Sequence, residues 1–228
     1  MKRLSETIVD SIKLKIFNGT YKKGERLLSE IELAKDHGVS RSVIRESLRL
    51  LEGLGLVIIK KGPRGGIFVS QGYHKPISDS LKGLVNADKI TEENVFDIRL
   101  LLETYATAQA AKNADEIDLK RLKSFLDIPD AKKNNAKWLQ KNRSNFHIAL
   151  SKAAKNPVME VLMRGLIDLL RNYFINFLDL EFEQNSIKTY KKIIEHIEKK
   201  QPEKARKLME IFILDMWEVI KKREDNPF

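Results

Sequence analysis

The chain has no cysteine. Disulfides and thiolate zinc sites are therefore excluded, and the composition fits a reducing, cytoplasmic setting. No apolar run approaches the roughly 18–20 residues needed to span a bilayer. The N-terminal stretch MKRLSETIVDSI is interrupted by Glu6 and Asp10, where a signal peptide needs an unbroken apolar segment. Internal repeats and low-complexity segments are missing, and strand signals are confined to a short stretch in the first third. Catalytic constellations are also lacking. No Ser/His/Asp set, phosphate-cradling glycine loop or paired-carboxylate motif is evident, so the expectation is a protein that is not an enzyme.

What is present is a core and an uneven charge. At 228 residues and 42% hydrophobic content, the chain is long enough for two modest domains or one large one. The net charge is +10. Residues 1–75 hold 15 Lys+Arg against 8 Asp+Glu, and the remainder 27 against 24. A basic first third on a nearly balanced remainder suggests a polyanion-binding module joined to something else, although a solvated lysine-rich surface has the same composition.

Apolar positions 4, 8, 9, 12, 14, 16 and 17 predict a first helix, ended by Asn18-Gly19. In SEIELAKDHG, Ser29 reads as an N-cap, Glu32 completes a capping box and Gly38 supplies the stop. Val39 leads into a second N-cap, Ser40, and the helix SRSVIRESLRLLEGLG. Two helices joined by a tight glycine-containing turn make a helix-turn-helix. In its second helix Val43, Ile44, Leu48, Leu51 and Leu54 can face a core, while Arg41, Ser42, Arg45 and Arg49 project elsewhere, the arginines in one row. Free N–H groups and arginines at the start of that helix suit phosphates and base edges, or belong to an ordinary exposed face. The following LVIIKKGPRGGIFVS reads as a hairpin with a basic tip, so that Lys60, Lys61 and Arg64 lie along a nucleic-acid backbone or reach a minor groove.

The run from Gly24 to Val69, and above all VSRSVIRESLRLLEGLGLV, resembles the DNA-binding domain of the GntR family of bacterial transcription regulators, over roughly residues 6–70. The resemblance implies that Ser40, Arg41, Ser42 and Arg45 face an operator and that Gly62 at the wing permits close backbone approach. Some members of the FadR type carry a DNA-contacting arginine where this chain has Ile31, so that contact is missing here.

Residues 73–88 read as a linker with a short helix. Beyond them helical periodicity is broken at Asn113, at Ile128-Pro129-Asp130, at Asn156-Pro157, at Asn185-Ser186 and at Gln201-Pro202, giving six or seven helices. The expected architecture is mostly α. A winged helix-turn-helix over residues 1–72 precedes an all-helical bundle over residues 89–228. Phe174, Phe177, Phe182, Met209, Met216 and Trp217 are read as core or dimer contacts. FDIRLLLE (96–103) and FHIALSKAAKNP (146–157) resemble the FCD effector domain of the FadR-type subfamily, over roughly residues 90–220.

One stripe within that region is unusual. Positions 139, 142, 143, 146, 147, 150, 153 and 154 share a helix face, which sets Arg143 and His147 among apolar residues. In the resembling domain, most members hold a divalent metal with an aspartate four residues before a histidine and two further histidines on the last two helices. A small organic acid binds beside it. His147 matches the first histidine here, but Arg143 stands in the aspartate's place, Tyr190 in the second histidine's and Phe212 in the third's. His196 faces away from that site. The expectation is therefore no metal cofactor, with Arg143 as a built-in cation. Arg99, Arg143, His147, Tyr190 and Phe212 would form a site for a small organic acid or phosphate. The competing reading pairs Arg143 with a buried carboxylate such as Asp97 or Glu103 and leaves a vestigial pocket. An all-helical domain of this kind also suggests a homodimer that reads an inverted repeat of double-stranded DNA. The functional expectation is a transcription regulator, a repressor by preference, answering to an organic anion. Its rivals are a constitutive DNA-binding protein and, more remotely, an enzyme with a DNA-binding appendage.

Overall fold

A computed structural model describes residues 2–173 and 179–224. The chain divides into two units, Met1–Pro76 and Ile77–Phe228. In the first, α1 (Leu4–Phe17), α2 (Glu30–His37) and α3 (Arg41–Gly53) are followed by β1 (Val57–Lys60) and β2 (Gly66–Val69). The local signals act as expected. Ser29 Oγ accepts from Glu32 N while the Glu32 carboxylate accepts from Ser29 N, and Gly38 closes α2 in the left-handed region at φ 65°. Ser40 Oγ then accepts from Val43 N to open α3.

Ile8, Ile12 and Ile16 of α1 meet Leu33, Ile44, Leu48 and Leu51 in one core, which Val57, Ile67 and Val69 of the hairpin close. Leu54 departs from expectation. It caps α3 from outside and is 48% exposed, because the helix ends at Gly53 and the chain turns away. Its place on that face is taken by Leu56, which is buried.

The hairpin is antiparallel with Val57 opposite Val69 and Lys60 opposite Gly66. Sequence reasoning missed a third segment beside it. Leu27 N donates to Ile67 O at 2.8 Å and Val69 N to Glu25 O at 2.8 Å, so residues 24–27 run along the free edge of β2. An otherwise two-stranded ribbon, marginal by itself, gains a neighbour.

The second unit contains α4 (Lys75–Asn86), which begins at the boundary, then α5 (Glu92–Asn113), α6 (Glu116–Lys123), a 3₁₀ turn (Asp130–Lys132), α7 (Ala136–Ala153), α8 (Pro157–Tyr173), α9 (Leu180–Glu198) and α10 (Pro202–Glu224). Pro157 and Pro202 open their helices, where no N–H is missed. The break expected at Asn185-Ser186 is not there. Asp179 Oδ1 accepts from Phe182 N to start α9, and Ser186 lies inside the helix with its hydroxyl bonded back to the Phe182 carbonyl at 2.8 Å. A serine satisfied this way is compatible with a helix interior.

Helices α5 and α7 form the centre, α7 packing against α5, α6, α8 and α9, and α5 against α7, α8, α9 and, most extensively, α10. Phe146 stacks on Tyr190 at 4.0 Å between ring centroids, and Phe96 on Trp217 at 4.4 Å. Met209 is buried, and Phe182 is half-buried against Phe212. Phe174 and Phe177 lie outside the described residues.

Candidate functional site

In the first unit, the face of α3 opposite the core carries Arg41, Ser42, Arg45 and Arg49, all exposed. Ser40 Oγ lies 2.8 Å from Ser42 Oγ at the start of that helix. Arg45 donates from Nη2 to Glu30 Oε2 of α2 at 3.1 Å, a half-exposed pair that orients the guanidinium at little energetic gain. The hairpin tip is a turn over Gly62-Pro63-Arg64-Gly65, closed by Gly65 N donating to Gly62 O at 2.8 Å. Lys60, Lys61 and Arg64 are exposed around it. Lys60 Nζ sits 4.7 Å over the Phe68 ring, which directs it along the ribbon. Gly62 has φ +97° and open space where a Cβ would stand, so the backbone is unshielded there. Arg26, not foreseen, donates from Nη2 to Gly65 O at 3.0 Å and packs where a Cβ on Gly66 would fall, bracing the tip. Ile31, in the place of the family's extra arginine, is 62% exposed.

In the second unit the structure brings Arg99, Arg143, His147, Tyr190 and Phe212 together, all buried. Helices α5, α7, α9 and α10 each contribute, because each places a polar or aromatic residue on its core-facing stripe. Arg143 donates from Nε to both oxygens of Glu183 at 3.0 and 3.2 Å, and from Nη2 to Oε1 at 3.0 Å. Its partner is thus neither Asp97, which is exposed, nor Glu103. Glu103 is held between Arg99, which pairs with Oε1, and His147, whose Nδ1 lies 2.5 Å from Oε2.

Beyond the imidazole, Tyr190 Oη is 3.2 Å from His147 Nε2, and the Phe212 ring stacks on His147 at 5.6 Å. Both arginines also reach one sulfur. Arg99 Nη1 lies 3.2 Å and Arg143 Nη1 3.1 Å from Met216 Sδ. Met216 is therefore part of the site as well as of the core.

The protons follow from these contacts. Burial pushes the Tyr190 phenol well above its ordinary value, so it stays protonated and donates to His147 Nε2. Burial also lowers His147, with Arg99 and Arg143 adding to the effect against Glu103. The imidazole is then neutral, with its proton assigned to Nδ1 facing Glu103. Burial alone would raise Glu103, but Arg99 and His147 outweigh it and hold the carboxyl at about 2. Two guanidinium charges thus meet two carboxylates, and the cluster is neutral overall.

A pH dependence follows. Glu103 and His147 both have folded-state values below their ordinary 4.5 and 6.5, so the unfolded chain binds more protons in acid. The stability they contribute is complete above about pH 6.5 and is lost as pH falls, most steeply below about 4.5. Thermal melts between pH 7 and pH 4 should show a steady decline in Tm; a flat or rising profile would contradict the assignment.

A cavity of about 30 Å³ adjoins the cluster, lined by Arg99, Arg143, Glu183, Gln140, Ser144 and Met216 among others. That is room for a water or two and not for an organic acid. His147, Tyr190 and Phe212 do not line it; they pack against one another behind the arginines. Arg99 Nη2 is buried with no hydrogen-bond partner among the described residues.

The donors do not fit a divalent metal. The His147 Nε2 lone pair is taken by the Tyr190 hydroxyl, Phe212 offers no donor, and the Arg143 guanidinium stands in the remaining position. No group of three or more His, Asp or Glu among the described residues is spaced to hold an ion. His196 is engaged elsewhere, its Nδ1 2.7 Å from Gln201 Oε1.

Glu183 was missed for an identifiable reason. It shares the buried stripe 183, 186, 190, 193, 194 and 197 of α9, but an expected break at Asn185-Ser186 cut it from Tyr190.

Comparison with known proteins agrees with both halves. Residues 4–69 match the model of bacterial regulatory proteins of the gntR family, and residues 94–214 match the FCD domain model. LutR, an HTH-type transcriptional regulator of Bacillus subtilis (strain 168), is 32% identical over 155 residues, which cover 68% of this chain and 70% of LutR. NanR of Cronobacter sakazakii (strain ATCC BAA-894), an HTH-type transcriptional repressor, is 26% identical over 236 residues, covering 99% of this chain and 89% of NanR. Among solved structures, Streptococcus agalactiae GntR shares the fold with a TM-score of 0.63 at 23% identity, over 93% of this chain and 98% of that one. No described helix is long and apolar enough to cross a membrane. With its helix-turn-helix module and its FCD domain, the chain belongs to the gntR family of bacterial transcription regulators.

Proposed function

We propose that this regulator binds an inverted-repeat operator as a homodimer, represses from it, and answers to a small organic anion through the buried arginines of the FCD domain. The observation that carries the DNA-binding part is the division of α3. One face packs on α1 and the hairpin, and the other leaves Arg41, Ser42, Arg45 and Arg49 exposed. An α-helix fits the major groove, where arginine reads guanine O6 and N7. Lys60, Lys61 and Arg64 supply phosphate contacts that position without specifying. Repression is suggested by the relative NanR, whose name states it. No metal is required by this reading, since the positions that would hold one carry a guanidinium, a phenol and a phenyl ring.

A second reading draws support from a specific observation. Arg143 is already satisfied by Glu183 and the cavity is small, as expected of a constitutive DNA-binding regulator with a vestigial pocket.

The positioning role of the wing gives a test of DNA binding. Lys60→Ala combined with Lys61→Ala should weaken binding by a similar factor for every DNA sequence. It should also reduce the slope of log K against log salt by about 2 per protomer, at roughly 0.9 per phosphate contact. Fluorescence anisotropy on two unrelated duplexes between 50 and 200 mM salt reads both. An unchanged slope would remove the wing from the interface.

A further inference from the structure

We infer that Glu183 is the internal occupant of an anion seat: a small carboxylate binds this regulator by taking the place of the Glu183 carboxylate on Arg143, and Glu183 competes with it. The inference deepens the organic-anion reading above and rests on it for its purpose, but its geometry stands by itself.

Three observations converge. Glu183 presents both oxygens to Arg143, the bidentate arrangement in which a guanidinium receives a free carboxylate. The cavity beside the pair is too small for an organic acid while Glu183 is seated, and Glu183 lines it, so its departure is what makes room. On the same wall Arg99 is 2% exposed and its Nη2 has no partner among the described residues. A ligand on Arg143 finds there a second donor that Glu183 does not use. The preferred ligand is a carboxylate with one further hydrogen-bond acceptor for Arg99. Charge also favours exchange over addition. The cluster balances two guanidinium groups against Glu103 and Glu183, so an anion added without displacing one would leave an uncompensated buried charge. Glu103 is pinned from both sides by Arg99 and His147. Among the described residues the Glu183 side chain is bound by Arg143 alone, and it stands in the first turn of α9. It is the one able to leave, and its departure releases the start of α9 from α7.

The test uses the full chain and acetate, which equals the part of the glutamate side chain that Glu183→Ala removes. Melting temperature is followed against sodium acetate, with sodium chloride at equal ionic strength as reference. E183A should melt below the wild type and recover saturably, by about 3–5 °C at tenfold the acetate Kd. The apparent acetate affinity should exceed that of the wild type at least tenfold, because the internal competitor is gone. Adding Arg143→Met should abolish the recovery. Equal acetate responses in wild type and E183A, or a recovery that survives R143M, would overturn the inference. If E183A does not fold, E183Q is titrated instead, and no gain over wild type there is equally decisive. No DNA enters the measurement, so failure leaves the operator-binding reading standing, and loss of operator binding would leave this result untouched.

Discussion

Replacing Glu103 by leucine should destabilise the FCD domain more than any other single change at the site. The carboxylate is 1% exposed and compensates Arg99 while receiving His147. Leucine fills the volume but leaves a buried guanidinium without its counter-ion. Breaking a buried pair from one side typically costs on the order of 3–5 kcal/mol, a large part of the 5–15 kcal/mol that holds a domain together. For a unit of this size that corresponds to a fall in Tm of about 10 °C or more. Removing both partners should be far milder, because the penalty lies in the orphaned charge. Glu103→Leu with Arg99→Met should regain most of the loss, and the double-mutant cycle gives the coupling directly. An E103L protein melting within two or three degrees of wild type would mean that Arg99 finds another partner and that the cluster is not a closed ion network.

The DNA-binding half was largely legible because its signals are local. The Ser29 and Glu32 capping box, the left-handed Gly38 and the Ser40 cap each act within a few residues and appear in the structure as read. What failed there was tertiary. Arg26 bracing the wing, and residues 24–27 lining β2, join segments about 40 residues apart, with no periodicity to announce them. The buried site was legible in part. Helical periodicity placed Arg143 and His147 on the core face of α7, and the resemblance to the FCD domain put Tyr190 and Phe212 beside them, where they are found. It did not say which carboxylates balance the arginines, since a buried cation needs a partner but its helix does not specify whose. Asp97 and Glu103, both on α5, were the partners expected, yet Glu183 holds Arg143 from α9.

The second large effect lies at Arg45. It stands mid-row on the exposed face of α3, between Arg41 and Arg49, with its guanidinium turned by Glu30. Its pair with Glu30 is half-exposed and worth little to the fold, so Arg45→Ala should leave Tm nearly unchanged. A bidentate contact to a base contributes about 1–3 kcal/mol, and in a two-fold symmetric complex the loss counts twice. Operator affinity should therefore fall by roughly 30-fold to 10⁴-fold, while non-specific binding, carried by the remaining cations, falls only slightly.

The most direct measurement is a comparison of wild type and R45A on a duplex enriched from random sequence by the wild-type chain, at fixed salt, beside a scrambled duplex. A DNA-reading α3 predicts an enriched inverted repeat bound tightly by wild type, with R45A reduced to the scrambled level at an unchanged Tm. Failure to enrich any sequence, or equal affinity of R45A and wild type for the enriched one, would contradict the assignment of α3 as the recognition helix.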